Sequence, residues 1–159
     1  MLELKLLALL LIANGSPVIA RMLLGRRLGI PLDGGRPWRD GRPLLGPSKT
    51  LTGVLVAVSS TALGASLLGL PLLAGALIGA GSMLGDALSS FVKRRLGLAS
   101  GNRAIGLDQI PEALVALLAA LPLLALPWTS VLWLPLAFML ADLLISRTLF
   151  WLGIRQHPH

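Results

Sequence analysis

The residues best suited to chemistry gather in one stretch, Gly85 to Arg95, GDALSSFVKRR. Asp86, Ser89, Ser90 and Lys93 fall at i, i+3, i+4 and i+7, which puts them on one helical face. Ser82 lies one turn further in, and Arg94 sits beside Lys93 in the last turn. The carboxylate of Asp86 ends a long apolar run, LPLLAGALIGAGSML. An ionised Asp inside a membrane span is costly and normally faces a polar cavity or a partner. The plain alternative is an Asp at the membrane edge, paired with Lys93 or Arg94, with the cations complementing a helix C-terminus. Three cations in a row, and a second carboxylate at Asp108, exceed what a cap requires. Two carboxylates beside hydroxyls are hard oxygen donors, the kind Mg²⁺ uses together with a substrate phosphate.

A second polar segment reads IPLDGGRPWRDGRPLLGPSKTLTG. Its glycines let backbone N–H groups approach an anion, and its arginines and Lys49 supply charge. Lys49 and Thr50 open an apolar run, so a helix N-terminus there forms a natural phosphate seat. A solvated basic loop is the plain alternative. It is not a Walker A loop, because no Gly directly precedes Lys49 and no apolar strand leads into it.

The elements that must hold these residues are membrane spans. The chain has 159 residues, 55% of them hydrophobic and only 13% charged, where soluble domains run near about 25% charged. A single domain over 1–159, all-α and integral to the membrane, is expected. Five runs are long enough to cross a bilayer: Leu4–Leu24, Leu51–Leu70, Leu72–Val92, Ile110–Leu126 and Val131–Leu152. Pro71 and Pro127 punctuate the tight turns between the second and third and between the fourth and fifth. Asn14, Gly15, Ser16 and Pro17 near the middle of the first run predict a helix broken there, a reading preferred over a signal peptide. Gly75/Gly79 and Gly81/Gly85 suit close helix packing.

Charge sets the expected orientation. Arg26, Arg27, Arg36, Arg39, Arg42 and Lys49 lie in the first long loop, and Lys93, Arg94, Arg95 and Arg103 lie around the second. Arg155 lies in the tail, and the two short turns carry no charge. The positive-inside rule places both loops and the C-terminus in the cytoplasm and the N-terminus outside, in a multi-pass protein of the cell membrane. The pI near 11.6 therefore marks cytoplasmic loops and phosphate sites, with no nucleic acid partner expected. The absence of cysteine excludes disulfides, thiolate metal sites and thiol nucleophiles. His157 and His159 fall in a terminal tail, where a frayed end is expected in place of catalysis.

Three separated motifs resemble one family in order. GDALSSFVKRRLGL followed by LDQ resembles the Gly-Asp-x4-Phe-x-Lys-Arg-Arg…Asp-Gln pattern of the CDP-archaeol synthases, small five-span membrane cytidylyltransferases. LDGGRPWRDGRPLLGPSKTLTG is similar to that family's first loop, and ANGSPV to its Ala-Asn-x-x-Pro-Val. The Gly-Asp…Lys-Arg segment is also similar to the longer bacterial CDP-diacylglycerol synthases. The resemblance implies a reaction in which CTP and a lipid phosphate in the bilayer give a CDP-lipid and pyrophosphate, with Mg²⁺ as cofactor. It implies that Asp86 and Asp108 coordinate the metal and that Lys49, Thr50, Lys93, Arg94 and Arg95 hold phosphates. Asn14, Asp40, Gly41, Gly46, Ser90 and Gln109 would complete the pocket. Two positions depart from the pattern: Leu51-Thr52 stands where the family often has an aromatic-Arg pair, and Ile110-Pro111-Glu112 where it often has an aromatic. The lipid chains, acyl or isoprenoid, stay open at this point.

Two other classes fit the sequence less well. A CDP-alcohol phosphotransferase needs Asp-Gly-x2-Ala-Arg and later aspartates on one helix. The stretch DGRPLLGPSKT starts alike but lacks both. A small transporter or assembly subunit would carry charge deep in several spans, and Asp142 and Arg147 are the only further candidates, expected as a structural pair or a membrane-edge contact.

Overall fold

The computed structural model describes residues 1–24, 29–100, 102 and 104–151. Arg26, Arg27, Arg103, Arg155, His157 and His159 lie outside the described residues. Five helices follow in order: α1 (Leu2–Leu24), α2 (Leu51–Leu67), α3 (Leu72–Arg95), α4 (Gln109–Leu124) and α5 (Trp128–Trp151). Among the described residues the remaining backbone pairing consists of two isolated bridges, Pro31 with Thr50 and Pro37 with Pro43. Three stretches are long and apolar enough to cross a membrane, Leu2–Leu23, Leu72–Arg95 and Trp128–Thr148. The other two helices, with 17 and 16 residues, are shorter than the expected spans. At 1.5 Å per residue each rises only about 25 Å, against a hydrocarbon core of about 30 Å. Both fall short at their C-terminal ends, Leu67 and Leu124 against the expected Leu70 and Leu126.

Helix α3 is the centre of the bundle, flanked by α2 and α4, and α1 closes over α2, α3 and α5. Two glycine pairs make this possible. A Cβ at Gly79 would lie 2.8 Å from Val58 Cα, and one at Gly75 would lie 2.6 Å from Ala65 Cβ, so this side of α3 seats against α2. A Cβ at Gly81 would lie 2.8 Å from Ala116 Cα, and one at Gly85 would lie 2.6 Å from Glu112 Cα, so the other side seats against α4. Small residues allow backbones this close, where dispersion and weak hydrogen bonds replace the missing hydrophobic drive. The apolar core runs through Leu6, Leu9 and Leu10 of α1, Ile78 of α3, Leu117 of α4 and Phe138 of α5.

One expectation fails. Helix α1 continues unbroken through Asn14–Pro17. Neighbouring helices take up the polar groups there: Ser60 Oγ of α2 donates to Ser16 Oγ at 2.7 Å, and Asn14 Nδ2 donates to Glu112 of α4 at 2.9 Å. A proline is tolerated in a membrane helix when neighbours satisfy what it frees.

The first loop is an ordered body built on Asp33. Its Oδ2 accepts from the Leu45 and Gly46 amides, both at 2.9 Å, and its Oδ1 accepts from the Gly35 amide at 2.9 Å. A small hairpin follows, with Trp38 N donating to Arg42 O at 2.7 Å and Gly41 closing the turn at φ +77°. That positive φ is the reason a glycine follows Asp40.

Candidate active site

A cavity of about 730 Å³ opens where the two long loops meet α1, α3 and α4. Arg21, Lys49, Lys93 and Arg94 line it, together with Asp86, Asp108, Glu112 and Asp142. Two lysine–aspartate contacts offset part of the lost hydration there, while neutral side chains hold Glu112 and Asp142. Lys49, just ahead of α2, forms an ion pair with Asp86 of α3. Lys93 Nζ lies 2.5 Å from Asp108 Oδ1 and donates to the Asn102 carbonyl at 3.0 Å. Arg94, only 4% exposed, is within electrostatic reach of Asp108.

Local structure explains these placements. Thr50 caps α2, its Oγ1 accepting from the Gly53 amide at 3.1 Å, and this leaves Lys49 at the mouth of the helix. Asp108 holds the N-cap position of α4, and its Oδ2 accepts from the Ala104 amide at 2.9 Å. Two helix N-termini thus start at the cavity, where their dipoles favour an anion. Gln109 is held on both ends, its Oε1 accepting from the Gly106 amide at 3.0 Å and its Nε2 donating to Asp142 at 3.1 Å. Asp142 is thus held by Gln109, while Arg147, expected with it as a structural pair or a membrane-edge contact, lies by a separate recess with Trp151.

The residues singled out in the sequence divide into two groups. Asn14, Lys49, Thr50, Asp86, Ser90, Lys93, Arg94, Asp108 and Gln109 all line the cavity. Asp40, Gly41, Gly46 and Arg95 do not. Arg95 turns outward, its Nη1 2.5 Å from Asp40 and its Nη2 donating to the Pro43 carbonyl at 2.6 Å. Its guanidinium also stacks 5.1 Å from the Phe91 ring, which meets Trp38 edge-on at 5.4 Å. Arg42 donates in return to the Arg95 carbonyl at 2.6 Å. The separation of Arg95 from Lys93 and Arg94 follows from helical rotation, which turns successive residues by about 100°. Gly46 serves Asp33 through its amide. That carboxyl is opposed by its burial, yet the amides of Gly46, Leu45 and Gly35 hold it below the ordinary Asp range.

Glu112 carried no assigned role in the sequence. It is four residues after Asp108, so both belong to one face of α4, a signal available beforehand. Arg21 was likewise unmarked, at the end of an apolar helix.

A helical bundle with membrane-length helices, built around a cavity that holds lysine–aspartate pairs, is the architecture of a membrane protein with an internal polar site. The sequence profile described as CarS-like, CDP-archaeol synthase, matches residues 70–159. The CDP-archaeol synthase of Hyperthermus butylicus is 45% identical over 119 residues, 69% of this chain and 68% of that protein. That of Pyrococcus abyssi is 34% identical over 152 residues, 89% of this chain and 82% of its own. A solved structure described as an intramembrane enzyme for archaeal membrane lipids biosynthesis superposes with a TM-score of 0.75 at 34% identity, covering 89% of this chain and 90% of that one. The chain belongs to the CDP-archaeol synthase family, and by that membership it is a membrane nucleotidyltransferase.

Proposed function

We propose that the cavity transfers a cytidylyl group from CTP to the phosphate of an isoprenoid ether lipid, giving a CDP-archaeol-type product and pyrophosphate. The observation that carries the reading is the pair of lysine–aspartate contacts, Lys49 with Asp86 and Lys93 with Asp108, set against two helix N-termini inside an apolar bundle. This arrangement suits a polyphosphate from water and a lipid from the bilayer. An oxygen of the lipid phosphate attacks the α-phosphorus, and the bond to the β-phosphate breaks with its electrons leaving on pyrophosphate. The nucleophile is already an anion, so no protein base is needed. The barrier lies in bringing anions together and placing charge on the leaving group, which fixed cations and dipoles address. Lys49, Lys93 and Arg94 take that role, with Thr50, Ser90, Gln109 and Asn14 completing the pocket. Asp40 and Arg95 act indirectly, by holding the first loop against α3, and Gly41 and Gly46 by shaping that loop.

The donor set fits Mg²⁺. Among the described residues no three carboxylates or histidines form a ready-made metal cage. Mg²⁺ commonly binds through one or two carboxylates together with substrate phosphates and water, and Asp86 and Asp108 supply that number. When bound, the ion would neutralise phosphate oxygens as a Lewis acid. The single domain crosses the cell membrane five times, with both long loops and the cavity toward the cytoplasm and the N-terminus outside. The arginine and lysine content of the loops supports this orientation.

Purified protein in detergent is expected to release pyrophosphate from CTP and an isoprenoid ether lipid phosphate only with Mg²⁺. Asp86→Asn and Asp108→Asn should each cost at least about a hundredfold in kcat while the protein stays folded. No turnover across ether and ester lipid phosphates would sink the reading. Wild-type rates in either variant would remove that residue from the metal.

A further inference from the structure

Two carboxylates of the cavity, Glu112 and Asp142, have no part in the phosphate chemistry above. Glu112 is 2% exposed and joins three helices. Its Oε1 accepts from Ser82 Oγ of α3 at 2.8 Å, and its Oε2 accepts from Asn14 Nδ2 of α1 at 2.9 Å. Gly85 brings it there, since any larger residue would strike the α4 backbone at Pro111 and Glu112. A carboxylate at so dry a junction is costly compared with an amide of the same shape. A strut between helices would be served as well by glutamine.

What glutamate supplies and glutamine does not is direction. A carboxamide has a donor end and an acceptor end, whereas an ionised carboxylate only accepts. In the observed network both oxygens of Glu112 accept, Oε1 from Ser82 Oγ and Oε2 from Asn14 Nδ2. Asn14 must therefore turn its nitrogen to Glu112, and its carbonyl oxygen is left as an acceptor on the α1 wall of the cavity. A glutamine at 112 could donate or accept, and Asn14 could then face either way.

We propose that Glu112 is a positioning residue that fixes Asn14 as an oriented hydrogen-bond acceptor for the nucleotide, and so helps determine which nucleotide is used. The matching donor is a ribose hydroxyl or the exocyclic amino group of the base. The inference rests on the cavity taking a nucleotide as described above.

The test compares wild type, Glu112→Gln, Asn14→Ala and the double variant on CTP, UTP, 2′-deoxy-CTP and 3′-deoxy-CTP with one lipid phosphate, alongside melting temperatures. Wild-type turnover of CTP is the control for the cavity as a nucleotide site, and its absence sinks that reading independently of Glu112. With wild type active, Glu112→Gln should lower the preference for CTP over one analogue by roughly tenfold, the loss of one ordinary hydrogen bond, acting through KM more than kcat. Lost preference over UTP assigns the donor to the amino group, and lost preference over a deoxy analogue assigns it to the ribose. Asn14→Ala should lose the same preference, and Glu112→Gln should add nothing to it in the double variant. A purely structural role would move all four substrates alike, so unchanged ratios in Glu112→Gln overturn the proposal. If that variant fails to fold, wild-type ratios in Asn14→Ala overturn it instead.

Discussion

At the scale of single residues, Asp33 makes the most definite claim. Its carboxylate takes three backbone amides and lies 7% exposed at the centre of the first loop. Burial opposes its ionisation, but the amides of Gly46, Leu45 and Gly35 outweigh that and hold its pKa below the usual value. The stabilisation is therefore fully present above the ordinary Asp pKa of about 4 and is lost as pH falls through the lower folded value. Asp33→Ala should cost about 1–3 kcal/mol near neutrality. The gap in melting temperature between variant and wild type should close below about pH 4. A constant gap down to the most acid condition would mean the side chain acts by packing alone. Asp33 was not legible as a keystone because its amide partners lie up to 13 residues away and follow no periodic spacing. Asp86, Ser90 and Lys93 were legible because all three share one helix, whose period does the alignment. Glu112 meets Asn14 from 98 residues away, a pairing that only the packed bundle creates.

Helices pose a different question, how closely they are allowed to approach. Gly85 and Gly15 make a matched pair for testing it. Gly85→Ala would drive a methyl group into the α4 backbone, which should cost about 1–3 kcal/mol and shift Glu112 away from Ser82, lowering turnover as well as melting temperature. Gly15→Ala meets nothing within 4 Å, so it should be neutral or stabilise α1 by up to about 1 kcal/mol. Thermal unfolding and turnover of both variants check this, and equal effects would remove close packing as the reason for Gly85. The four-residue glycine spacing was visible in the sequence. Which neighbour each pair meets was not, because that depends on how α3 is rotated within the bundle. The unbroken α1 was hidden for a related reason, since its proline is made tolerable by residues of α2 and α4.

For the molecule as a whole, orientation rests on loop charge, and the absence of cysteine makes it simple to test. Arg39→Cys puts a single thiol on an exposed part of the first loop. A membrane-impermeant thiol reagent should reach it from the cytoplasmic face only, and labelling confined to the outer face would reverse the proposed topology. The helical class was legible from hydropathy alone. The shortness of α2 and α4 was not, because the residues that follow them, Leu68–Leu70 and Ala125–Leu126, are mostly apolar too and continue the same run.

The clamp formed by Trp38, Asp40, Arg42 and Arg95 has a practical side. By composition, the Gly- and Pro-rich segment before α2 looks like a spacer, a natural place to splice in an affinity tag or a fluorescent reporter. Its side chains instead fasten it to the end of α3, beside the cavity wall. A fusion made there would pry the two loops apart and silence the protein it was meant to follow.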